Sequence, residues 1–445
     1  MKHRGRHRRR RRGRALRAVL SATALALTAA ATMISASQAT VVDDPGALKP
    51  LASSAELGRL RLTEQRVPER SLDRLAAAMG RPVGVGAVLA DADRTLRGAA
   101  DCTPAEKKAL PVEPVAARAY CWDRADTVAS AWRPASVTTS GDADDDGRWG
   151  AHRVILSGWT HHGGSAAERG LARVAFVDAD DPDRLTYTWA LLVVPVDDGR
   201  DYRGLVSRVT GMVWYQDKLL VTTSGSEREA LYVYDLNRVQ RANVTGDAVG
   251  RVPGGWSAHG YRWVLPAVAS YRPAGGGCDR AARSAAACPR GLSLDRTTAP
   301  DSLVASAATP AHDGRHTRLW RYSFSADPAR SGLLAADAGG TVTADEAYDT
   351  KVRGIRGVLS HRATPSARPD WYLGRSAGEH GGHGTLWRQD THGAKAAECG
   401  SKGRHDCWGD GGGSLSYWQE TGEVWSLSGR MLFALPLSSI QRSLG

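Results

Sequence analysis

From Ser136 onward, short runs rich in Val, Leu, Trp and Tyr recur along the chain, each bounded by Gly, Asp or Pro. "RVILSGW" precedes "LARVAFVDAD", and "GMVWYQDKLLVTTSG" precedes "EALYVYDLNRV". Then come "SLVASAATPAHDGRHTRLWRYSF", "GVLSHRATPSARPDWYLGRSAGEHGGHGTLWRQD" and "GSLSYWQETGEVWSLSGRMLFALPL". Each reads as a strand A, a turn, a strand B ending in small residues, a second turn and a strand C. Units of roughly 50 to 85 residues with this hairpin order predict an all-β chain, a β-propeller with long insertions. Five units are legible, and N-terminal or insertion strands would complete a sixth, so five or six blades are expected over residues 131–445. A β-sandwich has the same local pattern and is the alternative.

The preceding segment, 40–130, is rich in Ala and Arg. It reads as an N-terminal extension with one short helix and a disulfide loop: "PERSLDRLAAAMG" places Leu72, Leu75, Ala76 and Met79 on one face and stops at Gly80. No strand pattern is visible there. Residues 1–39 have the layout of a secretory signal. Ten Lys/Arg and no acid lie in the first seventeen residues, an uncharged stretch runs from Ala18 to Ala39, and Ser37 and Ala39 predict cleavage before Thr40. The expected protein is thus secreted and extracellular, with no membrane span once the signal is removed.

Charge supports no nucleic-acid partner. The chain carries 59 basic and 47 acidic residues, and its basic excess is concentrated in the signal. Without those ten residues the balance is 49 against 47, close to neutral. The six cysteines all follow the signal and form three close pairs: Cys102 with Cys121, Cys278 with Cys288, and Cys399 with Cys407. An even count in an exported chain predicts disulfides, and pairing each Cys with its nearest neighbour closes the shortest loops. None of the pairs has the Cys-x-x-Cys spacing of a zinc site.

"CWDRADTVASAWRPASVTTSGDA", "RWGAHRVILSGW", "GMVWYQDKLLVTTSG" leading to "LYVYDLNRV", "SLDRTTAPDSLVAS", "WYLGRSAG" and "GSLSYWQETGEVWSLS" occur in an order that resembles a family of secreted actinobacterial proteins, β-propeller-like and of unknown function. The resemblance runs from about Cys102 to the C-terminal end. It implies a secreted propeller and no particular activity. It also implies an acidic stretch ahead of "LSY", where this chain has Gly413 and Ser414 instead.

Several groups of residues are candidates for a site. "GRSAGEHGGHG" has a Gly-x-Ser-x-Gly frame around Ser376, but a nucleophile elbow needs a helix after the serine, and the four glycines that follow oppose one. The stretch is expected to be a B-to-C turn. Turns of this kind would carry His161 and His162 in the first unit, His312 and His316 in the third, and Glu379, His380 and His383 in the fourth, all on one face. Three readings stay open for them: exposed turn residues, a shared divalent-metal site, or the rim of a polar ligand site. "DADDDG" puts Asp142, Asp144 and Asp146 at the alternate positions of a calcium loop, in an A-to-B hairpin. Its twelfth position is Arg153, not a bidentate Glu, so an acidic solvated turn is the alternative and calcium the expected cofactor if there is one. Fourteen Trp and twelve Tyr against three Phe put Trp189, Trp214 and Trp320 in the core. Trp256, His259 and Tyr261 follow a long insertion and are candidates for a sugar-stacking rim.

These features point first to a binding module for a glycan or another extracellular polymer. An extracellular metal-dependent hydrolase using the same face, and a structural cell-envelope interaction protein, are the alternatives. No set of catalytic residues stands out.

Overall fold

The computed structural model describes residues 44–128, 131–165, 168–223, 227–278, 288–307, 316–364, 366–377, 382–400, 404–411 and 413–445. The signal segment, His312, Glu379 and His380 lie outside the described residues. Residues 45–445 form one compact unit, and the chain is all-β.

The N-terminal part contributes Leu62–Arg66 (β1), helices Glu69–Met79 (α1) and Val85–Leu89 (α2), Arg118–Cys121 (β2) and the short helix Arg124–Val128 (α3). Helix α1 is the one expected from the sequence: Leu72 and Leu75 are buried, and the chain leaves it at Gly80, whose φ of 108° suits glycine. Strands β1 and β2 were not expected. In β1 only Leu62 is buried, so no alternation marks it, and its register is set by pairing with a strand about 200 residues on.

Five antiparallel units follow. The first comprises Trp132–Thr139 (β3), Val154–His161 (β4), Ala172–Asp178 (β5) and Thr186–Val196 (β6). The second is Met212–Tyr215 (β7), Lys218–Thr222 (β8), Leu231–Asp235 (β9) and Trp263–Pro273 (β10), with β1 alongside β10. The third is Pro289–Asp295 (β11), Ser302–Ala307 (β12), Thr317–Ser323 (β13) and Glu346–Thr350 (β14). The fourth is Ile355–His361 (β15), Asp370–Arg375 (β16), Thr385–Gln389 (β17) and Ala394–Ala396 (β18). The last has Leu415–Trp418 (β19), Glu423–Ser428 (β20) and Met431–Pro436 (β21), and its fourth strand is β2, from the other end of the chain. The run "RVILSGW" is the second strand of its unit, in keeping with an A-to-B hairpin before it and a B-to-C turn after it; the opening strand is β3, whose Arg133 and Pro134 interrupt its apolar pattern.

The first strands of the five units meet in a cycle. Ser136 Oγ on β3 donates to the Val209 carbonyl just ahead of β7 at 2.5 Å, and Thr210 Oγ1 donates to the Arg290 carbonyl on β11 at 2.8 Å. A Cβ on Gly291 would lie 3.2 Å from the Arg356 carbonyl on β15, and one on Gly357 would lie 2.3 Å from the Gly413 carbonyl. The circle closes where the Val137 N–H of β3 donates to Ser414 Oγ at 2.7 Å. A small residue thus stands at each close approach, and Gly413 and Ser414 complete the set at the point where the family resemblance implies acids.

Local loops are held by disulfides at Cys102–Cys121, Cys278–Cys288 and Cys399–Cys407, the pairing expected from the sequence. Among the described residues no helix is long and apolar enough to cross a membrane. Trp189, Trp214 and Trp320 are buried as expected.

Candidate functional site

A polar network sits inside the first unit. Helix α3 follows directly on the Cys121 disulfide and carries Asp126 into the sheet, where β5 supplies Arg173; both side chains are about 3 to 4% exposed. Arg173 Nη2 donates to Asp126 Oδ1 at 3.0 Å and Nη1 to the Tyr261 hydroxyl at 2.7 Å. Its guanidinium lies 3.5 Å from the centre of the Trp189 ring and 4.4 Å from that of Trp132, so two indole faces and one carboxylate hold a cation out of water. Asp126 Oδ2 accepts from Arg94 Nη1 at 2.7 Å, from the Tyr187 hydroxyl at 2.6 Å and from Trp189 Nε1 at 3.3 Å. Burial alone would raise the Asp126 pKa, but Arg173, the Tyr187 hydroxyl and Arg94 outweigh it, and the carboxyl stays below its ordinary range.

A cleft of about 510 Å³ opens beside this network. Arg94, Trp189 and Tyr261 belong to both, so the buried pair fixes the cleft's inner wall. The rest of the lining includes Asp91, Asp93, Thr188, Arg241, Asn243 and Arg262. Arg262 and Asp91 pair at 2.9 Å, and Asn243 Oδ1 accepts from the Trp256 N–H at 2.8 Å. Carboxylate, amide, guanidinium, hydroxyl and aromatic groups facing one space suit a ligand with many hydroxyls in fixed directions.

Tyr261 is thus at a cleft, as the rim reading requires, but Trp256 is not. The Trp256 indole is 5% exposed, stacks on Tyr202 with ring centres 5.3 Å apart, and donates from Nε1 to the Ala78 carbonyl at 3.3 Å. His259 stands near Tyr261, 6.3 Å between ring centres, and 6.1 Å from His161.

The described turn histidines have different surroundings. All the described ones lie in or beside B-to-C turns, as expected, yet His161 is buried against Trp132, while His383 Nε2 lies 3.0 Å from the Leu110 carbonyl. His316 is exposed. Burial pulls the pKa values of His161 and His162 below the ordinary histidine value, which His259 reinforces at His161 and Arg133 and Arg208 reinforce at His162. None of His161, His162, His316 and His383 belongs to a cluster of three metal-ligating side chains among the described residues. Ser376 directly follows β16 and precedes β17, and among the described residues no helix directly follows it, whereas an elbow needs one.

The acidic hairpin also differs from the calcium-loop expectation. Ser140–Ala143 form one helical turn that carries the Asp142 carboxyl inward, where Oδ2 accepts from Thr138 Oγ1 at 2.6 Å and Ser416 Oγ at 2.8 Å. Asp144 accepts from the Asp145 N–H and Asp146 from the Arg148 N–H. The three carboxylates do not converge, because a helical turn rotates the first away from the extended spacing that alternate ligands need. The clusters of metal-ligating type among the described residues lie elsewhere: His152 with Asp178 and Asp180, and Glu106 beside the Cys102–Cys121 disulfide.

Asp126, Arg173, Arg94, Asp91 and Asp93 escaped the sequence reading. One signal was available: Arg173 interrupts the apolar run "LARVAFV", and a charge at the centre of a buried strand requires a buried partner.

No family model and no curated protein matches the chain. Among solved structures, Drosophila Plexin A in complex with Semaphorin 1b matches over 65% of this chain and 72% of that one, with 8% identity and a TM-score of 0.23.

Proposed function

We propose that this chain is a secreted five-bladed β-propeller that serves as an extracellular binding module for a glycan, with the cleft beside the Asp126–Arg173 network as its site. The blade count rests on the cycle of first strands and on β2 completing the last unit. Secretion is supported by the three disulfides and by the signal-like N-terminal sequence, in keeping with the resemblance to secreted actinobacterial propeller-like proteins. The observation that carries the binding role is the cleft itself. Its polar groups converge on a wall held rigid by a buried ion pair, and preorganised hydrogen-bonding groups of this kind favour a polar, hydroxyl-rich ligand.

Asp93 and Arg241 line the cleft without belonging to the buried network. Glycan-array screening of the secreted chain, followed by calorimetry on the best polysaccharide, is expected to show Asp93→Ala and Arg241→Ala each weakening binding by roughly tenfold, the equivalent of about 1.4 kcal/mol, with melting temperature unchanged. Binding that survives both substitutions would place the ligand elsewhere.

A further inference from the structure

The cleft beside the Asp126–Arg173 network has two unlike walls. On one side the strand Arg94–Thr95 pairs with β6, with Arg94 opposite Tyr187, and Asp91 and Asp93 precede it in the lining. On the other side the strand Gln240–Arg241 pairs with β10, with Arg241 opposite Trp263, and Trp263 in turn lies opposite Ala190 of β6. Both walls are therefore tied to one strand, at Tyr187 and Ala190, roughly 10 Å apart along it. Backbone pairing thus fixes how far apart they stand.

The second wall offers hydrogen-bond donors. In the run from Arg241 to Thr245, Arg241, Asn243 and Thr245 are exposed, while Ala242 is buried and Val244 half-buried. The Asn243 amide is oriented by its own contact: because Oδ1 accepts the Trp256 N–H, the NH2 end is left as a donor with no acceptor among the described residues. The Arg241 guanidinium lies 5.7 Å from the centre of the Trp263 ring and has no carboxylate partner among the described residues. The other arginines of the cleft and its inner wall are taken, Arg94 and Arg173 by Asp126 at 2.7 and 3.0 Å and Arg262 by Asp91 at 2.9 Å.

An acceptor stands across the cleft. Asp93 makes no hydrogen bond or ion pair with a described residue, but it lies in the fields of Arg94 and Arg262, which offset its charge and suit it to accept from neutral hydroxyls. Arg94, Arg173, Arg241 and Arg262 together face Asp91, Asp93 and Asp126, and the cation left over is Arg241. A ligand with a carboxylate for the donor wall and hydroxyls for Asp93 satisfies both walls, and a sugar acid carries the two on one ring.

We propose that the cleft recognises a uronic acid residue of an acidic polysaccharide, its carboxylate held by Arg241 with the Asn243 amide beside it and its hydroxyls donating to Asp93. This rests on the glycan reading of the cleft and adds the class of sugar. Arg241 is the residue that sets it, because a guanidinium fork matches the paired oxygens of a carboxylate and gains far less from an ester or a hydroxyl.

Calorimetry with oligomers of galacturonate, mannuronate and glucuronate, each compared with its methyl ester, tests the assignment, since the ester keeps the ring and its hydroxyls and removes the charge. At least one acid is expected to bind tenfold or more tightly than its ester. Arg241→Gln should lower the affinity for that acid to the level of the ester and leave the ester's affinity and the melting temperature unchanged, whereas Asp93→Ala should weaken acid and ester alike. Neutral glycans that bind while no acid exceeds its ester would overturn the proposal and leave the glycan reading standing, as would a preference for the acid that survives Arg241→Gln. Dextran sulfate competing as strongly as the acid would show that bare charge is read, and would overturn the carboxylate assignment. Absence of binding by every glycan, neutral or acidic, would remove the glycan reading and this proposal with it.

Discussion

At the scale of single residues, burial separates carboxylates that look alike in the sequence. Asp142 and Asp144 are two positions apart, but Asp142 is enclosed, and burial, partly offset by the Thr138 and Ser416 hydroxyls, pushes its pKa up to about 6. That value lies above the ordinary 3.8 of an aspartate. Between the two, the folded chain keeps a proton that the unfolded chain has released, so this group's contribution to stability falls as pH rises through the window and is constant on either side. The span corresponds to a loss of about 3 kcal/mol. Asp142→Asn keeps an oxygen for both hydroxyls and removes the titration. Relative to the parent it should gain stability between pH 4 and pH 6 and hold that gain at pH 7, as measured by denaturant unfolding across the range; parallel curves for the two proteins would refute the assignment. The opposite case is Asp126, whose partners keep it ionised despite comparable burial. Neither outcome is legible in "DADDDG" or "DRADTV", because both depend on side chains supplied by distant strands.

At the scale of elements, small residues let five strands approach where larger ones would collide. Gly413 is the most constrained of the ring glycines, since a Cβ there would lie 2.1 Å from the Leu427 carbonyl, a backbone atom that cannot rotate away. Gly413→Ala should therefore destabilise the chain by about 1–3 kcal/mol, the usual cost of overpacking, seen as a lower denaturant midpoint with unchanged slope. A parental midpoint would mean that the fifth unit's entry to the ring is looser than its geometry indicates. The hairpin order of these elements was readable in the sequence, because alternating apolar runs and Gly-, Asp- and Pro-bounded turns are local signals. The identity of each unit's innermost strand was not: β3 is marked by a charge and a proline, and only its place in the ring makes it a first strand.

At the scale of the whole molecule, the last unit is completed by the N-terminal segment. Strand β2 pairs Arg118–Cys121 with Met431–Ala434, and the Cys102–Cys121 disulfide anchors it. A chain truncated to residues 131–445 would leave β21 as an unpaired edge and would lose Asp126 from beside the buried Arg173 cation. It should be recovered as aggregate, or with a markedly lowered melting temperature by circular dichroism, whereas a stable monomeric fragment would restore the boundary near residue 130 that composition suggests. Much was determined by the sequence alone: the all-β class, the turn positions, helix α1 with its stop at Gly80, and the nearest-neighbour disulfides. All of these rest on interactions between residues close in the chain. Tertiary structure decided the closing strand, the small-residue cycle, the Asp126–Arg173 pair with its cleft, and the different surroundings of Asp142 and its neighbouring aspartates. Each of those depends on partners tens to hundreds of residues apart, and side-chain direction and dielectric surroundings exist only once those partners have met.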